Sequence, residues 1–238
     1  MLASWKALYE SQVVGVFVLA ALPVLFLGWL AARGLGRDGG VEPYAARFVR
    51  GWAIVFAVVA CVDPVTTGLF GWPMLPFVLL GDYRVFALVL VVMQPGRSRL
   101  AALGEAAAWT AVVPALAYGT YVALGAVHGP QPETILWLVY EVAFALLTLV
   151  VMTRVLPARV GIERGQVRRY VRAVLAIVVA YYVLWAAADV IILAGYDWGW
   201  GLRIVPNLLY YGGVVPAAYV RFFPSVMAHT SRSTQAAR

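Results

Sequence analysis

The sequence predicts an all-α membrane protein of seven transmembrane helices, with its N-terminus outside and its C-terminus in the cytoplasm. Three observations predict it. Of 238 residues, 63% are hydrophobic and 12% charged, against roughly 45–50% and about 25% in soluble domains, and the mean hydropathy is +0.86. Seven continuous apolar segments approach or exceed the roughly 20 residues that a helix rising about 1.5 Å per residue needs to cross hydrocarbon. The basic residues alternate from loop to loop. A β-barrel would show segments of about 10 residues alternating in polarity. These runs are unbroken and about twice that length, so helices are expected.

The first span covers roughly residues 12–32, an apolar run from Val13 to Ala32 without the small-residue pattern of a signal-peptide cleavage site. Arg33, Arg37, Arg47 and Arg50 separate it from the second, near 51–71. A short hairpin leads into the third, near 74–93, and Arg97 and Arg99 precede the fourth, near 101–126. The fifth, near 134–156, is followed by an arginine-rich stretch, 154–172, and then by the sixth, near 170–194. The seventh lies near 202–222, with Arg221, Arg232 and Arg238 at and beyond its end. The other face has only Lys6 and, near a membrane end, Arg203. Excess arginine marks the cytoplasmic side, which fixes the orientation and makes a multi-pass protein of the inner (plasma) membrane the expectation. Trp72, Trp137, Trp198 and Trp200 fall at the expected outer ends, as an aromatic belt does.

The net charge of +7 and pI near 9.8 thus describe orientation and contact with the bilayer, and no nucleic-acid partner is expected. Cys61, the one cysteine, lies in an apolar run as a small packing residue and allows no disulfide within the chain.

Charge inside hydrocarbon costs about 2.5–3.5 kcal/mol per group even on lenient scales. Asp63, Asp82, Glu141 and Asp189 nevertheless lie inside spans, with Arg84 among them. Asp63 and Asp82 are about nine residues, roughly 14 Å, from the outer ends of their helices; Glu141, Asp189 and Asn207 are about six or seven residues deep, roughly 10 Å. Five helices therefore place polar groups in the outer half. Glu105, near the inner surface, is expected to be solvated. Asp82 and Arg84 point about 200° apart on one helix, so Arg84 is expected to pair elsewhere, with Asp63 or Glu141. This layer is either a set of ion pairs fixing helix register or a site for a solute or protons. Its spread over five helices favours the site, with Asp63, Asp82 and Glu141 coupling protons or ions and Arg84 and Asp189 binding solute.

Short stretches recur. RFVR at 47–50 matches RYVR at 169–172, and Pro76, Leu79, Val85 and Ala87 align with Pro206, Leu209, Val215 and Ala217. The matches are those of interfacial anchors, or of a 3+1+3 parallel repeat. On the second reading a single membrane domain divides into 1–95, a linker helix in 96–130, a second triplet in 131–225 and a flexible cytoplasmic tail at 226–238. Parallel repeats around a central site are a recurrent transporter plan.

The stretch WAAADVIILAGYDWGWGLRIVPNLLYYGGVVPAAY, from Trp185 to Tyr219, resembles the sixth and seventh helices of SWEET-type sugar transporters of the PQ-loop class. The matching positions are Trp185, Asp197, Pro206, Asn207, Gly212 and Gly213. The resemblance implies that Trp185 and Asn207 line a central solute site. The chain departs from the pattern in having no Pro-Gln dipeptide closing a helix of either triplet. Asp82 and Arg84 also stand where the family carries Asn. A guanidinium in the site suits a carboxylate or phosphate, so a polar or anionic solute is expected rather than a sugar.

Pro23, Pro64, Pro76, Pro114, Pro206 and Pro216 lie in or near spans, where they act as hinges or ordinary curvature. Thr66, Thr67 and Gly68 follow Pro64 and can satisfy its kink, and Gly212-Gly213 allows close helix packing. Lys6 is the only lysine, which excludes a retinal Schiff base in the last span. His128 and His229 fall on opposite sides of the membrane, so no histidine cluster for zinc forms, and no metal, cofactor or catalytic nucleophile is expected. Three functions fit: a carrier for a small solute, possibly proton-coupled; an intramembrane acid–base enzyme acting on a lipid through two carboxylates; and a seven-helix sensor or assembly factor. The polar layer and the repeat favour the carrier, whose partners are the bilayer, the solute and possibly a second copy of the chain.

Overall fold

The computed structural model describes residues 4–33, 44–94 and 96–222. Arg37 and the segment 226–238, with His229, Arg232 and Arg238, lie outside the described residues. No strand occurs among the described residues. In chain order come α1 (Trp5–Tyr9), a π-helical stretch (Val13–Val18) leading into α2 (Leu19–Arg33), α3 (Tyr44–Phe70), α4 (Leu75–Met93) and α5 (Arg99–His128). Then follow α6 (Glu133–Val150), a second π-helical stretch (Val151–Val155), α7 (Leu156–Arg159), α8 (Gly165–Leu193), α9 (Trp198–Leu208), a third π-helical stretch (Leu209–Gly213) and α10 (Val214–Phe222).

Six helices among the described residues are long and apolar enough to cross a membrane: Val13–Ala32, Ala46–Phe70, Leu75–Met93, Arg99–His128, Glu133–Arg159 and Ile162–Leu193. The chain is an all-α, multi-pass membrane protein. Its outward faces agree, since Leu25, Leu116, Leu146, Val183 and Val190 are exposed, a surface too apolar for water and suited to lipid. The seventh expected segment is also helical, from Trp198 to Phe222. Asn207, Tyr210, Tyr211 and the glycine pair leave it less apolar than the other six. Several helices run longer than their apolar cores, because α3, α5 and α8 begin in the arginine-bearing stretches before the hydrocarbon.

The helices form a ring in chain order. Each packs on the next, and α9 and α10 return to α1, α2 and α3. α4 also reaches across to α8 and is the most enclosed helix, with 61% of its apolar window buried against 28–33% for the others. That explains its nearly unbroken run of Val, Leu and Phe from Val85 to Val92, all buried. The α3–α4 hairpin turns at Gly71, whose φ of 65° lies in the left-handed region that glycine adopts freely.

The arginine-rich end is tied together. Arg164 donates to the carbonyls of Met93 at 2.8 Å and Val92 at 3.2 Å, capping the C-terminus of α4 where the helix dipole favours a cation. Glu105 is not freely solvated as expected. It accepts from Arg97, from Arg159 and from the Trp109 indole, because the turn after α4 and the end of α7 bring both guanidiniums over α5.

At the other end α1 lies against α9. Asp197 accepts from the backbone N–H of Trp5 at 2.6 Å and of Lys6 at 3.3 Å, while Ser4 accepts from Ala7 N–H at 3.1 Å. A carboxylate at a helix N-terminus satisfies amides that have no partner within the helix. Asp197→Ala is therefore expected to free α1, raising amide exchange over residues 5–10 with a loss of about 1 kcal/mol of stability. Unchanged exchange there would show that α1 is held by other contacts.

Candidate functional site

Where α3 and α8 end and α4, α6 and α9 begin, the helices line an open cavity of about 230 Å³. Its wall is rich in aromatic rings, those of Tyr9, Trp137, Tyr140, Tyr182, Trp185, Tyr210 and Tyr211, and its polar groups include Thr67, Glu141, Arg203 and Asn207. Glu141, Trp185 and Asn207 thus line the cavity. Asp63, Asp82, Arg84 and Asp189 do not; each stands one side chain behind the wall.

Asp82 is fully buried. One carboxylate oxygen accepts from the Tyr140 hydroxyl on α6 and the other from the Tyr182 hydroxyl on α8. Both phenols line the cavity, so each connects it to Asp82. Asp63 accepts from the Tyr211 hydroxyl at 2.7 Å, and Tyr211 is again a wall residue. Beside Asp63, Pro64 cannot donate an N–H. Thr66 donates back to the Val62 carbonyl at 2.9 Å and Thr67 to the Asp63 carbonyl at 2.8 Å. Gly68 brings α3 against Val16.

Arg84 does not pair with Asp63 or Glu141 as expected. Its Nη2 donates to the backbone carbonyl of Tyr210 at 2.6 Å, and its guanidinium carbon lies 4.2 Å from the Tyr210 ring centroid. The cause is local. In the Leu209–Gly213 π turn, the Val214 N–H bonds to the Leu209 carbonyl and skips the Tyr210 carbonyl, its usual acceptor four residues back. Arg84 takes that carbonyl, and the ring supplies a cation–π contact. On the far side the Trp52 indole donates to the Arg84 carbonyl at 2.8 Å. The 200° separation expected on α4 is realised, with Asp82 facing α6 and α8 while Arg84 faces the last helix. Gly212 lets this helix approach Leu22 of α2, where a Cβ would stand 2.7 Å from the Leu22 Cβ.

Asp189 is engaged by Arg203, Nε to Oδ1 at 2.6 Å and Nη2 to Oδ2 at 2.7 Å. The Asp189 side chain is 0% exposed and that of Arg203 14%. The Trp185 indole donates to Asn207 Oδ1 at 2.9 Å, and Asn207 Nδ2 donates to the Tyr9 hydroxyl at 3.3 Å. Glu141 differs from the other acids. It is 5% exposed, lines the cavity, and its buried Oε2 has no hydrogen-bond partner among the described residues. Burying such an oxygen without a partner is costly.

The tyrosines and Arg203 were missed from sequence. A tyrosine in an apolar run reads as packing. Arg203 carried a usable signal, since it lies one turn into the helix after Asp189, at similar depth. Comparison with known proteins finds no matching family model, no matching curated protein and no matching solved structure.

Proposed function

We propose that the chain is a carrier of the inner (plasma) membrane for a small polar solute, coupled to protons. In this reading it has seven spans, the last being Trp198–Phe222, with the N-terminus outside. The triplets on either side of α5 act as a parallel repeat, the plan suggested by the recurring stretches at 47–50 and 169–172 and in the third and seventh segments. The alternation of arginines between loops supports the orientation.

One observation carries the functional reading. Asp82 and Asp63 are separated from the cavity by single tyrosines, each of which lines the wall and donates its hydroxyl to the carboxylate behind it. Such a phenol can pass a proton between solute space and carboxylate when its O–H swings towards the cavity, without the carboxylate behind it entering the wall. The anionic solute loses support. Arg84 is not on the wall and Arg203 is engaged by Asp189. The intramembrane enzyme loses support too, because only Glu141 of the four acids lines the cavity, and two carboxylates on one substrate are needed.

The test is reconstitution into proteoliposomes, with solute uptake and internal pH followed together. Asp82→Asn keeps the shape of the side chain and is expected to abolish uptake driven by a pH gradient while sparing exchange of solute. Arg84→Gln is expected to slow both by about tenfold, equivalent to about 1.4 kcal/mol. If both variants fold normally and every measured rate equals wild type, the polar layer is structural and the carrier reading falls.

A further inference from the structure

The wall of the cavity also discriminates among solutes. We infer that it binds an organic cation, an alkylammonium or amine, with Glu141 as counter-ion and the faces of Trp137, Tyr140, Tyr182, Trp185 and Tyr210 as its cage. This rests on the cavity being a solute site, as proposed above.

Charge balance points the same way. Among the described residues the bundle buries four carboxylates, Asp63, Asp82, Glu141 and Asp189, and the guanidinium of Arg84. Arg203, 14% exposed, adds a second guanidinium. Acids exceed bases, and the excess must be met by protons or by a bound cation. Asp82 has two phenol donors, Asp63 has one together with Thr67, and Asp189 has Arg203. Glu141 alone lines the cavity and keeps an oxygen without a partner.

The phenols matter by where they point. Tyr140 and Tyr182 turn their hydroxyls away to Asp82, so they offer the cavity ring surface rather than donors. A phenol that donates to a carboxylate has a more electron-rich ring, which strengthens attraction to a cation over its face. Trp185 stands between Tyr182 and Tyr210, with ring centroids 5.6 Å and 5.4 Å away, and Trp137 lies 5.9 Å from Tyr140. A sugar would find few donors, since Asn207 is already committed to Trp185 and Tyr9. An anion would face the Glu141 carboxylate. The volume of about 230 Å³ leaves room for a small alkylammonium.

The charged groups that face Glu141 from neighbouring helices are Asp189 of α8 and Arg203 of α9. The other titratable wall groups are Tyr140 of its own helix, Tyr182 of α8, Tyr9 of α1 and Tyr210 and Tyr211 of the π turn.

The experiment is thermal unfolding of the full chain in detergent with choline, tetramethylammonium and methylammonium chlorides, sodium chloride serving as the ionic-strength control. Glycine betaine, sodium acetate and glucose are tested alongside. Ligand bound only to the folded state raises the midpoint. The cations are expected to raise it by a few degrees at saturation, and betaine, acetate and glucose to leave it unchanged. Glu141→Gln is expected to fold with an unliganded midpoint at or above wild type and to weaken choline binding at least about tenfold. Trp185→Leu is expected to weaken it about fivefold. If betaine, acetate or glucose stabilises the protein and is carried into proteoliposomes while the cations do nothing, the cation assignment is wrong and the carrier reading stands. Cation binding that Glu141→Gln leaves untouched also overturns the assignment. If no solute of any class binds or is transported, both readings fall.

Discussion

Replacing Arg203 by methionine is expected to destabilise the protein by about 3–5 kcal/mol, the cost of leaving a buried charge without its partner. Both oxygens of Asp189 are bound by Arg203, and the Asp189 side chain is wholly buried. Methionine keeps the apolar stem but removes every donor, so Asp189 must take up a proton or draw water into the bundle. The reverse change, Asp189→Leu, is expected to cost less, about 1–3 kcal/mol, because Arg203 borders the cavity and can turn towards Glu141. Combining the two is expected to restore most of the stability, since an apolar pair of similar volume often replaces a buried ion pair without loss. Unfolding in mixed micelles, read as a double-mutant cycle, gives the coupling directly. A single Arg203→Met variant within about 0.5 kcal/mol of wild type would mean that Asp189 is not held by this contact.

The helices were legible because an apolar run of membrane length needs no tertiary information to be recognised. The acids were legible because each is anomalous in such a run. Their partners were not, since a partner depends on which helix faces which, and span order alone does not give that. Arg84 shows the limit. An acid was the natural expectation for its mate, yet the mate is a backbone carbonyl released by a π turn. Pro206 reads as a hinge or ordinary curvature and the Gly212-Gly213 pair as a site of close packing, and neither says which carbonyl comes free. Glu105 was misread for the opposite reason. Its arginine partners are in plain sight in the neighbouring loops, but sequence separation hid that Arg159 folds over α5. The seventh segment is the least apolar because it supplies wall residues, so the features that build the cavity are those that blur its reading as a span.

Gly81→Ala is expected to disrupt both the fold and the site, although alanine is the better helix former by about 1 kcal/mol. Gly81 is buried in α4, and a Cβ there would fall on the ring and hydroxyl of Tyr210. That ring has little room to yield. Tyr181 and Trp185 flank it at 5.7 Å and 5.4 Å, Arg84 lies against one face, and Arg84 also holds its carbonyl. Moving Tyr210 uncovers a buried guanidinium and shifts the Trp185 wall. The overpacking is expected to cost about 1–3 kcal/mol net of the helix gain, and solute affinity to fall at least about tenfold, or about 1.4 kcal/mol. The sign should reverse when the ring is removed first. In a Tyr210→Leu background the same Gly81→Ala change meets no ring and should stabilise by up to about 1 kcal/mol. Such a reversal is the signature of direct contact between two residues. If alanine at 81 stabilises the wild-type background as well, then Tyr210 is free to move, and Arg84 is not fixed beneath it.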